Sequence, residues 1–159
     1  MLDNGIAPTV FFSNSNIFPE EEYIIRRSEL ERHLQSLGVA FAEDDYDHSN
    51  WLDAVKGLEH EPERGARCLK CFKFRLLRAA RYAADNGFTH LATTLASSRW
   101  KDIDQINEAG MWAAQQAGGV TFWPQNWRKG GLQNRRNELL RLYAFYNQQY
   151  CGCEYSIRG

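Results

Sequence analysis

The chain has 159 residues, 43% hydrophobic and 25% charged, which is typical of a globular protein with one buried core. No stretch reaches the roughly 18–20 apolar residues of a membrane span, and the first residues lack the features of a secretory signal, so a cytoplasmic location is expected. The net charge of −1 hides an asymmetry: residues 1–63 carry 14 acidic and 4 basic side chains, and residues 64–159 carry 6 and 15. The basic part indicates a polyanionic partner, although charged runs often only solvate a surface.

Helical and strand-like segments alternate along the whole chain. Pro19 precedes three glutamates that favour the positive end of a helix dipole, and Gly38 and Gly87 follow periodic stretches where helices commonly end. In chain order, strands are predicted at 9–12, 39–41, 88–95 and 120–123, and helices at about 20–37, 49–56, 68–86, 102–116 and 134–145. This alternation predicts a single α/β domain over residues 1–159, with a mostly parallel sheet and helices on both faces.

The four cysteines form two close pairs, Cys68-Leu-Lys-Cys71 and Cys151-Gly-Cys153. Two thiols three residues apart at the start of a helix share one face, and the positive helix end favours the thiolate that binds a metal. In the second pair, the glycine allows the backbone to fold tightly enough for both sulfurs to reach one centre. The pairs are about 80 residues apart, so a shared site requires the fold to bring them together.

Three kinds of site remain open for these cysteines. A structural zinc ion is a common user of the Cys-x-x-Cys pattern. An iron–sulfur centre also uses clustered thiolates and suits Cys-x-Cys at least as well. A thioredoxin-like dithiol fits poorly, because the first pair follows a polar loop and has a Leu-Lys spacer. The spacing therefore indicates a metal without naming it.

A basic loop and the helix after it form the candidate phosphate-binding region. Its backbone amides and cations suit phosphate groups, although the same charges are equally expected in a loop that is only solvated. Trp127 is the best aromatic candidate for stacking on a base. The other tryptophans are expected in the core or in helix packing, and none of the four histidines has a partner at ligand spacing. The predicted RNA-binding residues are Trp127, Arg128, Lys129, Arg135 and Arg136.

Several motifs, in order, resemble the QueH-type epoxyqueuosine reductases over almost the entire length of the chain. They are FFSNSNI at 11–17 with Pro19 and Tyr23, the stretch from DYDHSNW to CFKFRL at 45–76, TTLASSRWKDIDQINEAG at 93–110, WRKGG at 127–131 and YCGC at 150–153. A set of independent motifs in the same order is far more specific than any single Cys-x-x-Cys.

This resemblance implies an adenine-nucleotide hydrolase-like (Rossmann-like) α/β fold and reduction of epoxyqueuosine to queuosine in the tRNA anticodon, the last step of queuosine formation. It implies a 4Fe–4S cluster with an additional iron ion beside it, fed by an electron donor protein or other reductant. Cys68, Cys71, Cys151 and Cys153 match the family's ligand positions. No protein acid or base is assigned, so the metallocentre itself is the expected catalytic group.

The sequence departs from the family pattern in one respect. The family carries a Cys-Cys-x-Pro-Cys segment just after its first strand, and these 159 residues contain none, so the first strand of the sheet is expected to be missing. Four thiolates suffice for one cluster but not for a cluster and a second iron. A start site too far downstream is the favoured explanation. A fragment or degenerate copy is the other explanation. For the function of the chain, the alternatives are an inactive truncated copy and a zinc-stabilised RNA-binding module without catalysis.

Overall fold

A computed structural model describes residues 1–157, in which α-helices alternate with short parallel strands. The strands are β1 (Thr9–Phe12), β2 (Ala40–Glu43), β3 (His90–Leu91) and β4 (Thr121–Phe122). The helices are α1 (Glu20–Ser36), α2 (His48–Val55), α3 (Ala66–Asp85), α4 (Ile103–Ala117) and α5 (Leu132–Tyr143). These residues fold as two compact units: unit 1 is Met1–Asn50 with the segment from Tyr146 onward, and unit 2 is Trp51–Phe145.

Unit 1 contains a parallel pair of strands connected by a helix. Strand β1 lies beside β2 in a register that runs from Thr9 opposite Ala40 to Phe12 opposite Glu43, and α1 connects the two strands. The core of this unit contains Phe12, Ile17 and Tyr23, and the ring centroids of Phe12 and Tyr23 lie 5.3 Å apart. Because the two strands are parallel, the residues just after β1 and β2 lie at the same edge of the pair. This edge, at the carboxyl ends of the strands, is where α/β folds commonly place their sites.

Unit 2 repeats this arrangement with shorter strands. His90 and Leu91 lie opposite Thr121 and Phe122 in a parallel pair, and α4 connects the two strands. The core lies mainly between α3 and α4 and contains Phe72, Leu76, Ala80, Leu95, Ala96, Ile106, Ala109 and Ala113. Gly110 allows Phe122 to approach α4, since a Cβ at residue 110 would lie 2.3 Å from the Phe122 ring. The motif stretch at 93–110 is thus partly a packing motif.

The α/β class and the parallel pairing predicted from the sequence are confirmed, with the strands in two two-stranded sheets. The strand predicted at 88–95 is too long, because the Thr93 hydroxyl accepts a bond from the Leu95 amide and begins a 3₁₀ turn at 94–97. The last helix begins two residues earlier than predicted and ends before Ala144, which has a left-handed φ of 46°. The expectations of one domain, of helices on both sheet faces and of a missing first strand stay predictions.

Helix α5 differs from the other four α-helices of residues 1–157 because it buries none of its residues. Leu140, Leu142 and Tyr143 of this helix are exposed, and Leu142 reaches 70% exposure. None of the helices among residues 1–157 is both long and apolar enough to cross a membrane.

Candidate metal centre and RNA-facing loops

The first cysteine pair lies where the sequence places it, in the first turns of α3. Cys68 is half-buried and Cys71 is buried, and neither is joined to another cysteine by a disulfide. The backbone amide of Arg64 donates to the Cys68 sulfur over 3.3 Å. An amide N–H and a helix N-terminus both direct positive partial charge at this sulfur, which suits an anionic metal ligand.

Arg64 links the first cysteine pair to the loop before α4. Its guanidinium donates to the carbonyls of Arg99 at 2.7 Å and Trp100 at 3.1 Å. Its own carbonyl accepts a bond from the Gln105 side chain at 2.7 Å. Arg64 has a left-handed φ of 68°, which is uncommon for a residue with a side chain and costs about 1 kcal/mol. These bonds to two other segments hold the backbone in that conformation.

Arg67 binds the loop that leads into the helix of the same cysteine pair. Its side chain is buried, and Nη1 donates to the carbonyls of Leu58 and Glu59, at 3.1 and 2.8 Å, and to that of Glu61. The guanidinium therefore fixes the polar loop that precedes α3.

The second cysteine pair depends on the glycine between its members. Gly152 is buried with a φ of 110°, and a Cβ there would lie 2.8 Å from Ile17 Cγ1 and 3.2 Å from Asn16 Nδ2. Its carbonyl accepts a bond from the Phe18 amide at 2.9 Å. Cys153 is buried at 6% exposure, whereas Cys151 is exposed. The turn after β1 therefore forms a cradle for the Cys-Gly-Cys backbone.

A buried arginine on α1 holds the residues that precede this pair. Arg26 is 7% exposed; its Nε donates to Glu22 at 2.7 Å and its Nη2 to the Tyr150 carbonyl at 3.0 Å. The second Glu22 oxygen accepts a bond from the Tyr146 hydroxyl at 2.8 Å. This bond raises the pKa of Tyr146, because it favours the protonated phenol. The buried cation is therefore paired, and segment 146–150 is tied to α1.

His48 is a site residue that the sequence analysis missed. Its Nδ1 lies 2.8 Å from the Ser15 carbonyl, and its Nε2 lies 2.9 Å from Glu154 Oε1. The ring stacks on Phe18 with centroids 5.4 Å apart. Because a carbonyl only accepts, Nδ1 carries the proton of this bond. His48 thereby joins the turn after β1 to the residue that follows Cys153.

Asn16 lies in the same turn and has a buried polar atom without a partner among the described residues. The residue is 2% exposed, and its Oδ1 accepts no hydrogen bond there. The Ile17 amide donates to the Asn14 carbonyl at 3.0 Å and closes this turn. Asn16 also packs against the Cys-Gly-Cys segment.

The predicted RNA-binding residues divide into a packed group and an exposed group. The Trp127 indole donates to the Thr93 carbonyl at 2.8 Å and the ring packs against the unit 2 core, so its base-stacking role stays a prediction. Arg128 is half-buried, and its Nη1 donates to the Ser98 carbonyl at 3.3 Å. Lys129, Arg135 and Arg136 are exposed, and Arg135 pairs with Glu138 at 3.4 Å.

The packing roles expected for the other tryptophans are correct for Trp51, which is fully buried, and wrong for Trp100, which is 65% exposed. Asp47 caps α2, because its carboxylate accepts a bond from the Asn50 amide at 3.0 Å. Cys68 and Cys71 lie in unit 2, and Cys151 and Cys153 lie in unit 1. Across residues 1–157, no group of three or more His, Cys, Asp and Glu side chains is arranged to hold a metal ion.

The fold and the motifs together define an α/β protein with two structured pairs of cysteine thiols, one at a helix start and one in a glycine turn. A family model described as "Epoxyqueuosine reductase QueH" matches residues 1–159, and the chain belongs to this family. The resemblance found from the sequence motifs is thus confirmed.

Curated relatives named epoxyqueuosine reductase QueH support the same assignment. The protein of Histophilus somni (strain 129Pt) is 48% identical over 155 residues, which are 98% of this chain and 64% of that protein. The Haemophilus influenzae protein is 46% identical over 99% of this chain and 64% of its own length. For Acinetobacter baylyi the identity is 44% over 99% and 72%. The chain spans about two thirds of the length of these relatives.

Proposed function

We propose that this chain carries out, or forms the greater part of a protein that carries out, the reduction of epoxyqueuosine to queuosine in the tRNA anticodon. The match to the QueH family over residues 1–159 is the observation that carries this proposal. In this reaction both carbon–oxygen bonds of the epoxide break and a carbon–carbon double bond forms. Two electrons and two protons are consumed, and the oxygen leaves as water.

The four cysteines are the proposed ligands of a 4Fe–4S cluster. The donor set fits, because such clusters are held by thiolates and their potentials depend on hydrogen bonds to the sulfurs. The Arg64 amide supplies such a bond to Cys68, and the Ser156 hydroxyl lies 3.1 Å from the Cys151 sulfur. When bound, the cluster would supply the electrons for this reduction, and an additional iron ion would need ligands beyond these four cysteines. An electron donor protein or a small reductant would recharge the cluster.

The side chains around the cysteines would position them for this role. Arg67 holds the loop before Cys68, while Arg26 and His48 hold the residues on either side of the Cys-Gly-Cys segment. Each of these three contacts involves a backbone carbonyl or carboxylate, so each fixes chain geometry and leaves the sulfurs available.

The basic loop and the start of α5 would hold the phosphates of the tRNA. Lys129 and Arg136 are exposed cations, and Arg128 and Arg135 lie beside them in sequence. Residues 64–159 carry the excess of positive charge that a polyanion requires. Trp127 remains the proposed stacking residue of this loop. A tRNA substrate would also agree with the cytoplasmic location expected from the sequence.

Anaerobic purification of the full chain tests the proposal. We expect a brown protein that contains iron and acid-labile sulfide. With a chemical reductant it should convert epoxyqueuosine in tRNA, and mass spectrometry of the digested nucleosides should show the loss of one oxygen atom. A colourless protein with stoichiometric zinc would contradict the proposal and indicate a zinc-stabilised RNA-binding module. A protein that holds iron and leaves the nucleoside unchanged would contradict the proposed activity.

A further inference from the structure

Trp100 presents an aromatic ring to solvent in the loop that precedes α4. Its exposure of 65% is well above the 40% of Trp123, although a tryptophan side chain is usually largely buried. The guanidinium carbon of Arg99 lies over the ring, 4.8 Å from its centroid. An exposed aromatic ring with an arginine on it combines a surface for stacking with a cation for a phosphate.

The loop holds Trp100 in this position through its backbone. Arg64 donates to the carbonyls of Arg99 and Trp100, as described above. The Trp100 amide donates to Ser98 Oγ at 3.3 Å, and the Lys101 amide donates to the Ser98 carbonyl at the same distance. The exposure of the ring is therefore a property of an ordered loop, and a preorganised surface binds a ligand at a lower entropic cost.

The charges around the ring fit a polyanionic ligand. Arg64 and Arg99 carry positive charge at this loop, and Lys101 follows the ring with its Nζ 5.7 Å from the Phe72 ring centroid. The nearest acidic residue in sequence, Asp102, uses its carboxylate to accept the amides of Asp104 and Gln105 at the start of α4. The carboxylate thus serves as a helix cap beside this basic loop.

The loop also adjoins both proposed functional segments of unit 2. The Arg128 guanidinium of the basic loop donates to the Ser98 carbonyl, so the two cationic loops are continuous. Arg64, which holds Trp100 by its side chain, holds the Cys68 sulfur by its amide. Arg64 therefore connects the loop that carries Trp100 to the first cysteine pair.

We propose that Trp100, with Arg99 and Lys101, forms a stacking site for an unpaired base of single-stranded RNA. This inference rests on the proposed function for the identity of the RNA, which would be the anticodon loop of the substrate tRNA. Unpaired loop bases are the part of RNA that proteins commonly recognise by stacking on aromatic rings. Stacking accepts any base, so this site positions the loop, and selection of the modified base takes place elsewhere.

The test compares two substitutions of Trp100 in the full chain, with an unmodified tRNA anticodon stem-loop as the probe. Trp100→Ala should weaken binding about tenfold, which corresponds to the loss of one base–aromatic stack. Trp100→Phe retains an aromatic ring and should bind within about threefold of the parent chain. A duplex RNA with the same stem sequence and no loop should bind both variants and the parent equally.

Met111→Ala is the matched control, because Met111 is 56% exposed and lies on α4 outside the loop. It should leave stem-loop binding unchanged, and thermal unfolding should show that all variants fold. The proposal is overturned if the parent does not bind the stem-loop, if Trp100→Ala binds it as the parent does, or if Trp100→Ala loses duplex binding equally. The assay needs neither iron nor turnover. Trp100-dependent binding without epoxide reduction would therefore reject the proposed function alone, whereas epoxide reduction without Trp100 dependence would reject this inference alone.

Discussion

The backbone amide of Arg64 donates to the sulfur of Cys68 while the Arg64 backbone has a φ of 68°. The hydrogen bond to sulfur comes from the main chain, so it survives any substitution that preserves this conformation. The bonds to the loop at 98–101 come from the side chain. Substitution of Arg64 can therefore separate the strain of the backbone from the role of the guanidinium.

Arg64→Gly and Arg64→Ala lose the same guanidinium but differ in their tolerance of a positive φ. Glycine adopts this conformation without a steric cost, whereas alanine does not. We expect Arg64→Gly to be more stable than Arg64→Ala by about 1 kcal/mol in urea unfolding. Equal stabilities would show that residue 64 relaxes to a negative φ once the side chain is gone.

Gly152→Ala tests the cradle around the second cysteine pair. Alanine at this position meets both a φ of 110° and Ile17 Cγ1 at 2.8 Å, so we expect a loss of more than about 2 kcal/mol in unfolding free energy. Gly38→Ala is the matched control in unit 1, because Gly38 has a φ of 65° and nothing within 4 Å of an added Cβ. It should cost only about 1 kcal/mol. If the two variants are equally stable, the cradle is not tightly packed.

The order of elements was predictable because its signals are local. The amphipathic stretch that becomes α3 and the glycines after α1 and α3 act within a few residues. The extent of β3 was not predictable in the same way, because a strand ends where its partner ends. Only His90 and Leu91 find partners in β4, although the apolar run continues to Leu95.

The site was predictable only where its residues are close in sequence. The patterns Cys-x-x-Cys and Cys-x-Cys are visible in the sequence because their members are two or three residues apart. The contact between His48 and Glu154 joins residues 106 apart, and that between Arg26 and Tyr150 joins residues 124 apart. The exposure of Trp100 likewise depends on bonds from Arg64, 36 positions earlier in the chain. Such contacts follow from tertiary packing, for which a single sequence carries no local signal.

Arg26→Met tests how much the buried ion pair between Arg26 and Glu22 contributes to stability. It leaves the Glu22 carboxylate buried without its cation, and we expect a loss of about 3 kcal/mol in unfolding free energy. Adding Glu22→Gln removes that uncompensated charge and keeps an acceptor for the Tyr146 hydroxyl. The double variant should therefore recover about 1 kcal/mol relative to Arg26→Met. A double variant less stable than the single one would show that charge pairing is not the reason for the loss.

Ionisation of Tyr23 should lower the stability of the protein at alkaline pH. Burial and the hydrogen bond that its hydroxyl donates to Glu43 at 2.8 Å raise the pKa of Tyr23 above that of an unfolded tyrosine. As the pH rises, Tyr23 therefore loses its proton in the unfolded chain before it does so in the folded chain. The stability that the protonated phenol contributes is fully present below about pH 10 and is lost as the pH rises further. Tyr23→Phe removes the group, and unfolding free energies at about pH 8 and about pH 10.5 should differ less than in the parent. Burial also raises the pKa of Tyr46 and Tyr150, so the alkaline loss should shrink without disappearing. An unchanged pH dependence would contradict this role for Tyr23.

Arg135→Ala with Arg136→Ala tests the proposed phosphate contacts at the start of α5. If both cations contact phosphates, the double variant should bind tRNA more weakly, and the slope of log affinity against log salt should decrease by about 1–2. Stability should change little, because α5 buries none of its residues and the Arg135–Glu138 pair is exposed. Arg141→Ala, near the other end of α5, is the control for a general loss of charge. If Arg141→Ala lowers the salt slope by as much for its one charge as the double variant does for each of its two, the effect reflects net charge and not a binding site. An unaltered slope in the double variant would mean that this end of α5 is only a solvated surface.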